Sequence, residues 1–166
     1  MTVSRLATLA LRMSASLLLV FAAAAAAAQG RFTVSGDGQD VLDTSTQLTW
    51  RRCAEGMQWD GKTCAGKASK FTLVGARERA RAGAAGATAW RLPSREELVG
   101  LVDRGAKKKP RIDGIAFPKT PALPFWATRT GSDDNLNAWL VSFANGKVTG
   151  NVGEAKFPLR LVRAGR

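Results

Sequence analysis

Two cysteines, Cys53 and Cys64, are the only ones in the chain, and they follow an N-terminal segment that reads as an export signal. Arg5 and Arg12 give that segment a positive start, residues 13–24 are apolar, and Ala26-Ala27-Ala28 offers the small residues that signal cleavage requires. Residues 1–28 are therefore expected to be a signal peptide cut near Ala28-Gln29, leaving residues 29–166 as a single domain. A retained anchor is the alternative, but the apolar run is shorter than the roughly 20 residues that span a bilayer, and no basic cluster follows it. Export to the periplasm or the exterior places both thiols under oxidising conditions, where one intrachain pairing exists. The spacing is not C-x-x-C and the chain has no His to activate a thiolate, so a structural Cys53–Cys64 bridge is expected rather than a redox pair.

Composition narrows the function classes. With no His, the commonest general base and metal ligand is missing, and two cysteines do not make a four-thiolate zinc site. No cofactor is expected. There are 25 Lys+Arg against 13 Asp+Glu, a net charge of +12 in 166 residues, which becomes +10 once Arg5 and Arg12 leave with the leader. Such a balance favours an anionic partner.

Along the mature chain, residues 32–34 and 48–50 read as strands separated by the turn residues Gly36-Asp37-Gly38 and Asp43-Thr44-Ser45. Thr72 precedes a helix to about Ala82, ended by Gly83 and Gly86. Ser94-Arg95-Glu96-Glu97 is a capping box, and Leu98, Leu101 and Val102 follow at helical spacing, predicting a helix of about ten residues stopped by Gly105. Four prolines make residues 110–124 an ordered loop. Residues 125–128 and 159–163 read as strands. Asn145-Gly146 predicts a type I′ turn joining 139–144 to 147–149. Two short helices among antiparallel strands give an α+β domain.

Several motifs follow one another along the chain: Leu48-Thr49-Trp50-Arg51-Arg52-Cys53; Gly56-Met57-Gln58-Trp59-Asp60-Gly61 with Cys64; Trp90-Arg91-Leu92-Pro93-Ser94 with Glu97-Leu98; and Ile112-Asp113 with Phe117-Pro118-Lys119-Thr120-Pro121. Phe125-Trp126-Ala127-Thr128, Ala138-Trp139 with Val141, Phe143 and Asn145-Gly146-Lys147-Val148, and Arg160-Leu161-Val162-Arg163 complete the set. In this order and spacing they resemble the Lcl C-terminal domain family over about residues 40–163. It implies a fold similar to C-type-lectin-like domains and a role as a surface, envelope or adhesion-associated binding domain, with no catalytic residues to carry over. The chain departs from the family pattern at Leu73, where Trp is usual, at Gly75, where a polar residue is usual, at Gln47, where a turn Gly is common, and in lacking Tyr.

Trp50, Trp90, Trp126 and Trp139 are expected to be core residues rather than stacking platforms for a sugar, whereas Trp59, inside the cystine loop, is read as exposed or as a cover for the bridge. Arg91 and Glu97 are expected to form a buried ion pair or capping pair, since a guanidinium and a carboxylate without a nucleophile do not make a reaction. No metal site is expected, and Asp133, Asp134 and Asn135, oxygen donors on one loop, are the calcium candidate. Arg104, Lys107, Lys108, Lys109 and Arg111 are the candidate polyanion-binding residues. The expected function is a non-enzymatic exported binding domain, recognising polyanionic glycans or another anionic envelope component. The alternative is an envelope accessory protein acting through protein contacts. Intracellular nucleic acid is excluded by the signal, and no membrane-spanning segment is expected after cleavage.

Overall fold

The computed structural model describes residues 30–83, 89–128, 138–150 and 154–165, nearly all of them in the compact unit Phe32–Arg166. The expected signal peptide, residues 1–28, falls outside the described residues. The described residues form three antiparallel sheets and two helices, an α+β arrangement. The first sheet has the order β1-β2-β3-β9, from Phe32–Val34, Asp40–Asp43, Leu48–Arg51 and Val162–Ala164. The second pairs β4 (Met57–Trp59) with β5 (Cys64–Gly66), and the third has the order β6-β7-β8, from Pro124–Thr128, Ala138–Ser142 and Val148–Gly150. Among the described residues no helix is long and apolar enough to cross a membrane.

The third sheet organises the core because it is covered on both faces. Successive strand side chains point to opposite sides. Phe125, Ala127 and Val141 accordingly join one cluster with Trp50, Leu98, Phe117, Phe143 and Val162. Trp126, Ala138 and Leu140 join a second with Leu73, Ala76, Ala80, Trp90, Leu159 and Leu161. Helix α1 (Leu73–Ala82) supplies the second cluster, and its small alanines at i+3 and i+7 from Leu73 let it lie close. Thr72 caps it, its side chain accepting from the Gly75 N–H at 3.2 Å. Helix α2 (Arg95–Gly100) sends Leu98 into the first cluster. It has six residues rather than about ten. The chain leaves it so that Asp103 can bond Arg111 across the base of the next loop.

Two turns differ from the sequence expectation. The cystine loop, to which the sequence reading assigns no strands, is a β4–β5 hairpin in which Trp59 pairs with Cys64. In the 138–150 hairpin, Val141 pairs with Val148 and the Ser142 N–H donates to the Lys147 carbonyl, so the connection runs over residues 143–146 and is not a two-residue type I′ turn. Only Gly146 has positive φ there, at 76°. The cause is Phe143. It is fully buried against Phe125 at 5.1 Å, and its N–H donates to the Leu123 carbonyl, so its backbone continues the β6 side and is withdrawn from β8. Gln47 has φ of 56°, a left-handed backbone that suits Gly, the residue that the resemblance leads one to expect at that turn.

The Cys53–Cys64 bridge is present, with Cα atoms 5.5 Å apart and a sequence separation of 11. Loop-closure entropy for a ring of this size amounts to about 3 kcal/mol. Replacing both cysteines by serine is expected to lower unfolding free energy by about that amount, read as a shift in urea midpoint at constant slope. Reductant would then change the parent and leave the double variant unmoved.

Two arginines pin the long 110–124 loop. Arg52 is buried, donates from Nε and Nη2 to the carbonyls of Ala116 (3.2 Å) and Ile115 (3.1 Å), and lies 3.8 Å from the Trp59 ring centre. Arg160 is fully buried. Its Nη1 donates to the carbonyls of Arg51 (2.6 Å) and Arg52, its Nη2 to Thr120 Oγ1 (2.7 Å), and it lies over Phe117. Neither guanidinium has a carboxylate partner among the described residues. Burial lowers the proton affinity of both, that of Arg160 to a pKa of about 9, which leaves it charged at neutral pH.

Candidate polyanion-binding loop

After α2 the chain turns at Asp103, whose carboxylate accepts the N–H groups of Gly105 (2.8 Å) and Ala106 (3.1 Å). This side-chain turn starts a loop that closes on itself. The Asp103 N–H donates to the Arg111 carbonyl at 3.0 Å, and the Arg111 N–H donates to the Phe143 carbonyl at 2.7 Å. Ile112, next in the chain, is buried in the first core cluster. The loop is thus anchored at its neck by backbone bonds and by a core side chain, while its middle is solvent-facing. The Lys109–Pro110 peptide bond is cis.

Arg104, Lys107, Lys108 and Lys109 are exposed and Arg111 is half-buried. Among the described residues none of the five has a carboxylate within ion-pair distance, whereas Arg51 and Arg163 pair with Asp40, Arg79 with Glu55, Arg91 with Glu97, and Arg95 with Glu96. The nearest acids in sequence are committed to backbone: Asp103 to Gly105 and Ala106, and Asp113 to the N–H groups of Ile115 and Ala116, both at 2.8 Å. The cations therefore keep their charge available to a ligand, at the exposed and salt-sensitive strength of surface pairs. The structure adds one cation to the set. The 143–147 turn lies against the helix exit, where a Cβ on Gly146 would sit 3.1 Å from Val102 Cγ1, and this turn carries exposed Lys147. Sequence spacing separates Lys147 from Lys109 by 38 positions, so no linear pattern joins them.

The other predicted residues are structural. Trp50 and Trp126 are 1% and 0% exposed. Trp90 is buried, with the Arg51 and Arg163 guanidinium groups 4.2 and 4.6 Å from its ring. Trp139 is half-buried on the first cluster under Arg95 at 4.9 Å, and Trp59 lies under Arg52 and against Gly38, where a Cβ would come within 2.3 Å of the indole nitrogen. Trp59 thus covers Arg52 and Gly38. All five tryptophans are either buried in the core or covered by an arginine. Arg91 and Glu97 do pair, through two bonds of 2.7 Å, but at the surface rather than buried, with side-chain exposures of 47% and 22%. The Ser94 hydroxyl accepts the Glu97 N–H, and Glu97 Oε2 accepts the Ser94 N–H at 2.7 Å, completing the capping box. Burial raises the Glu97 carboxyl, but the bonds from Arg91 and Ser94 outweigh it and leave it below its ordinary value. Leu92 and Pro93 place this motif against the sheet: the Pro93 carbonyl accepts the Thr128 N–H at 2.9 Å. Asn145 Oδ1 accepts the Lys147 N–H at 3.0 Å. Asp133, Asp134 and Asn135 lie outside the described residues.

A family model, the Lcl C-terminal domain, matches residues 39–163. No curated protein and no solved structure matches the chain.

Proposed function

The chain belongs to the Lcl C-terminal domain family, and on that premise we propose that it is an exported, non-enzymatic binding domain of the bacterial envelope or surface that engages polyanionic glycans through the 103–111 loop. The observation that carries this reading is the loop itself, with four exposed cations and a half-buried fifth, tethered at the neck and free of carboxylate partners among the described residues. The disulfide supports an oxidising location. A C-type-lectin-like display of long ordered loops from a small scaffold belongs to the same proposal. Recognition is by charge rather than by ring stacking, because Trp50, Trp90 and Trp126 are buried and arginines lie over Trp59 and Trp139.

The test is heparin chromatography of the parent and the Lys107/Lys108/Lys109→Ala variant. Exposed charges contribute about 0.5 kcal/mol each, so loss of three is expected to lower affinity about tenfold and to move elution to lower salt. Equal elution of the two proteins would remove the loop from the function. A second reading, contact with an envelope protein, draws on Ile115, which is 84% exposed immediately beyond the loop. Retention of an envelope partner that persists at high salt would favour it, since screening weakens exposed charge pairs.

A further inference from the structure

We infer that the fold carries a second ligand site, a groove beside the cystine hairpin that takes a small amphipathic anion: a carboxylate on an apolar body. The groove is open to solvent along its length and has a volume of about 580 Å³, within the range of small-molecule sites. Its walls are largely apolar, from Met57, Ala65, Pro121 and Leu123, and the two charged residues on its lining are Lys67 and Lys119. No carboxylate lines it. It shares no residue with the 103–111 loop.

Lys119 is held there against its backbone preference. Its φ is 55°, in the left-handed region that suits glycine, and Pro118 and Pro121 flank its segment. The segment is fixed from below. Thr120 is buried, donates its hydroxyl to the Phe117 carbonyl at 2.8 Å, and accepts from Arg160 Nη2 at 2.7 Å. The fully buried guanidinium thus positions an exposed lysine that pure folding economy would replace by glycine. Lys67 comes from the other wall, directly after Gly66 at the end of β5, whose φ is 88°. Leu123 is 37% exposed, so the apolar wall is open to solvent. Two cations over an apolar trough complement an anionic head on a hydrocarbon body.

Calorimetric titration with decanoate below its micelle concentration tests this, with decanol and acetate as the arms that carry body without charge and charge without body. Decanoate is expected to saturate one site, decanol to bind at least about fivefold more weakly, and acetate not to register. Lys119→Gly is expected to weaken decanoate about fivefold without lowering the melting temperature, because glycine accepts the left-handed backbone freely. Lys67→Ala is expected to weaken it similarly, while Lys107/Lys108/Lys109→Ala leaves it unchanged, which separates this groove from the glycan reading. Absence of saturable decanoate binding, decanol binding as tightly as decanoate, or a Lys67→Ala/Lys119→Gly double variant with parental affinity would each overturn the site.

Discussion

Truncating Trp126 to alanine is expected to destabilise the domain by about 4 kcal/mol, the range seen when a large buried aromatic is removed. Trp126 is fully buried in the second core cluster, in a strand covered on both faces. Its ring meets Phe157 edge-on at 5.4 Å, and its indole N–H donates to the Phe71 carbonyl at 2.7 Å. Phe71 and Phe157 are themselves bonded to each other, backbone to backbone, so the indole clamps a two-residue bridge that no named strand contains. Trp126→Phe keeps most of the volume and loses the hydrogen bond, so it should lose only about 1–2 kcal/mol. Urea unfolding of both variants measures the difference. Equal losses would mean that the hydrogen bond, not the ring, carries the site.

Replacing Arg160 by leucine is expected to lower stability at neutral pH by about 3 kcal/mol. Three acceptors, the carbonyls of Arg51 and Arg52 and the Thr120 hydroxyl oxygen, would lose a charged donor inside the core. Each such loss is worth about 1–3 kcal/mol, and relief from burying a charge opposes the total without cancelling it. The pH dependence discriminates this account from simple cavity formation. Burial holds the Arg160 pKa at about 9 in the folded state, below its value in the unfolded chain. As pH rises through 9, the unfolded chain keeps the proton more strongly than the folded one, so the parent gains stability from this group. Arg160→Leu should lack that gain, and the two stability curves should therefore diverge in alkali. Parallel curves would show that the guanidinium keeps its charge throughout.

Local signals make much of the fold legible in the sequence. Thr72 and Ser94 mark both helix starts because capping is a short-range contest for backbone N–H groups. The apolar runs at 125–128 and 139–143 mark the strands that become the doubly covered sheet. The capping box, the cysteine pair and the cationic loop can each be read from residues a few positions apart. The rest depends on distant partners. The two-residue turn at Asn145-Gly146 is a sound local expectation, and it fails because Phe143 is drawn into the core and bonds Leu123. Strand β2 hides among turn-forming residues, and its pairing with both β1 and β3 is what orders it. Arg52 and Arg160 stand within recognisable motifs, but their burial and pinning role are not legible there, since an arginine satisfied by backbone carbonyls needs no acid at a fixed spacing. The turn that carries Lys147 meets the helix exit, and Lys67 and Lys119 line one groove, only through folding.

Residues 157–162 tie the parts of this domain to one another. Their backbone groups bond those of Glu55, Phe71 and Arg91, of Arg51 in the first sheet and of Trp126 in the third. Loss of this one stretch would unhook two sheets and the segments between them at once, so the domain should unfold as a unit rather than sheet by sheet.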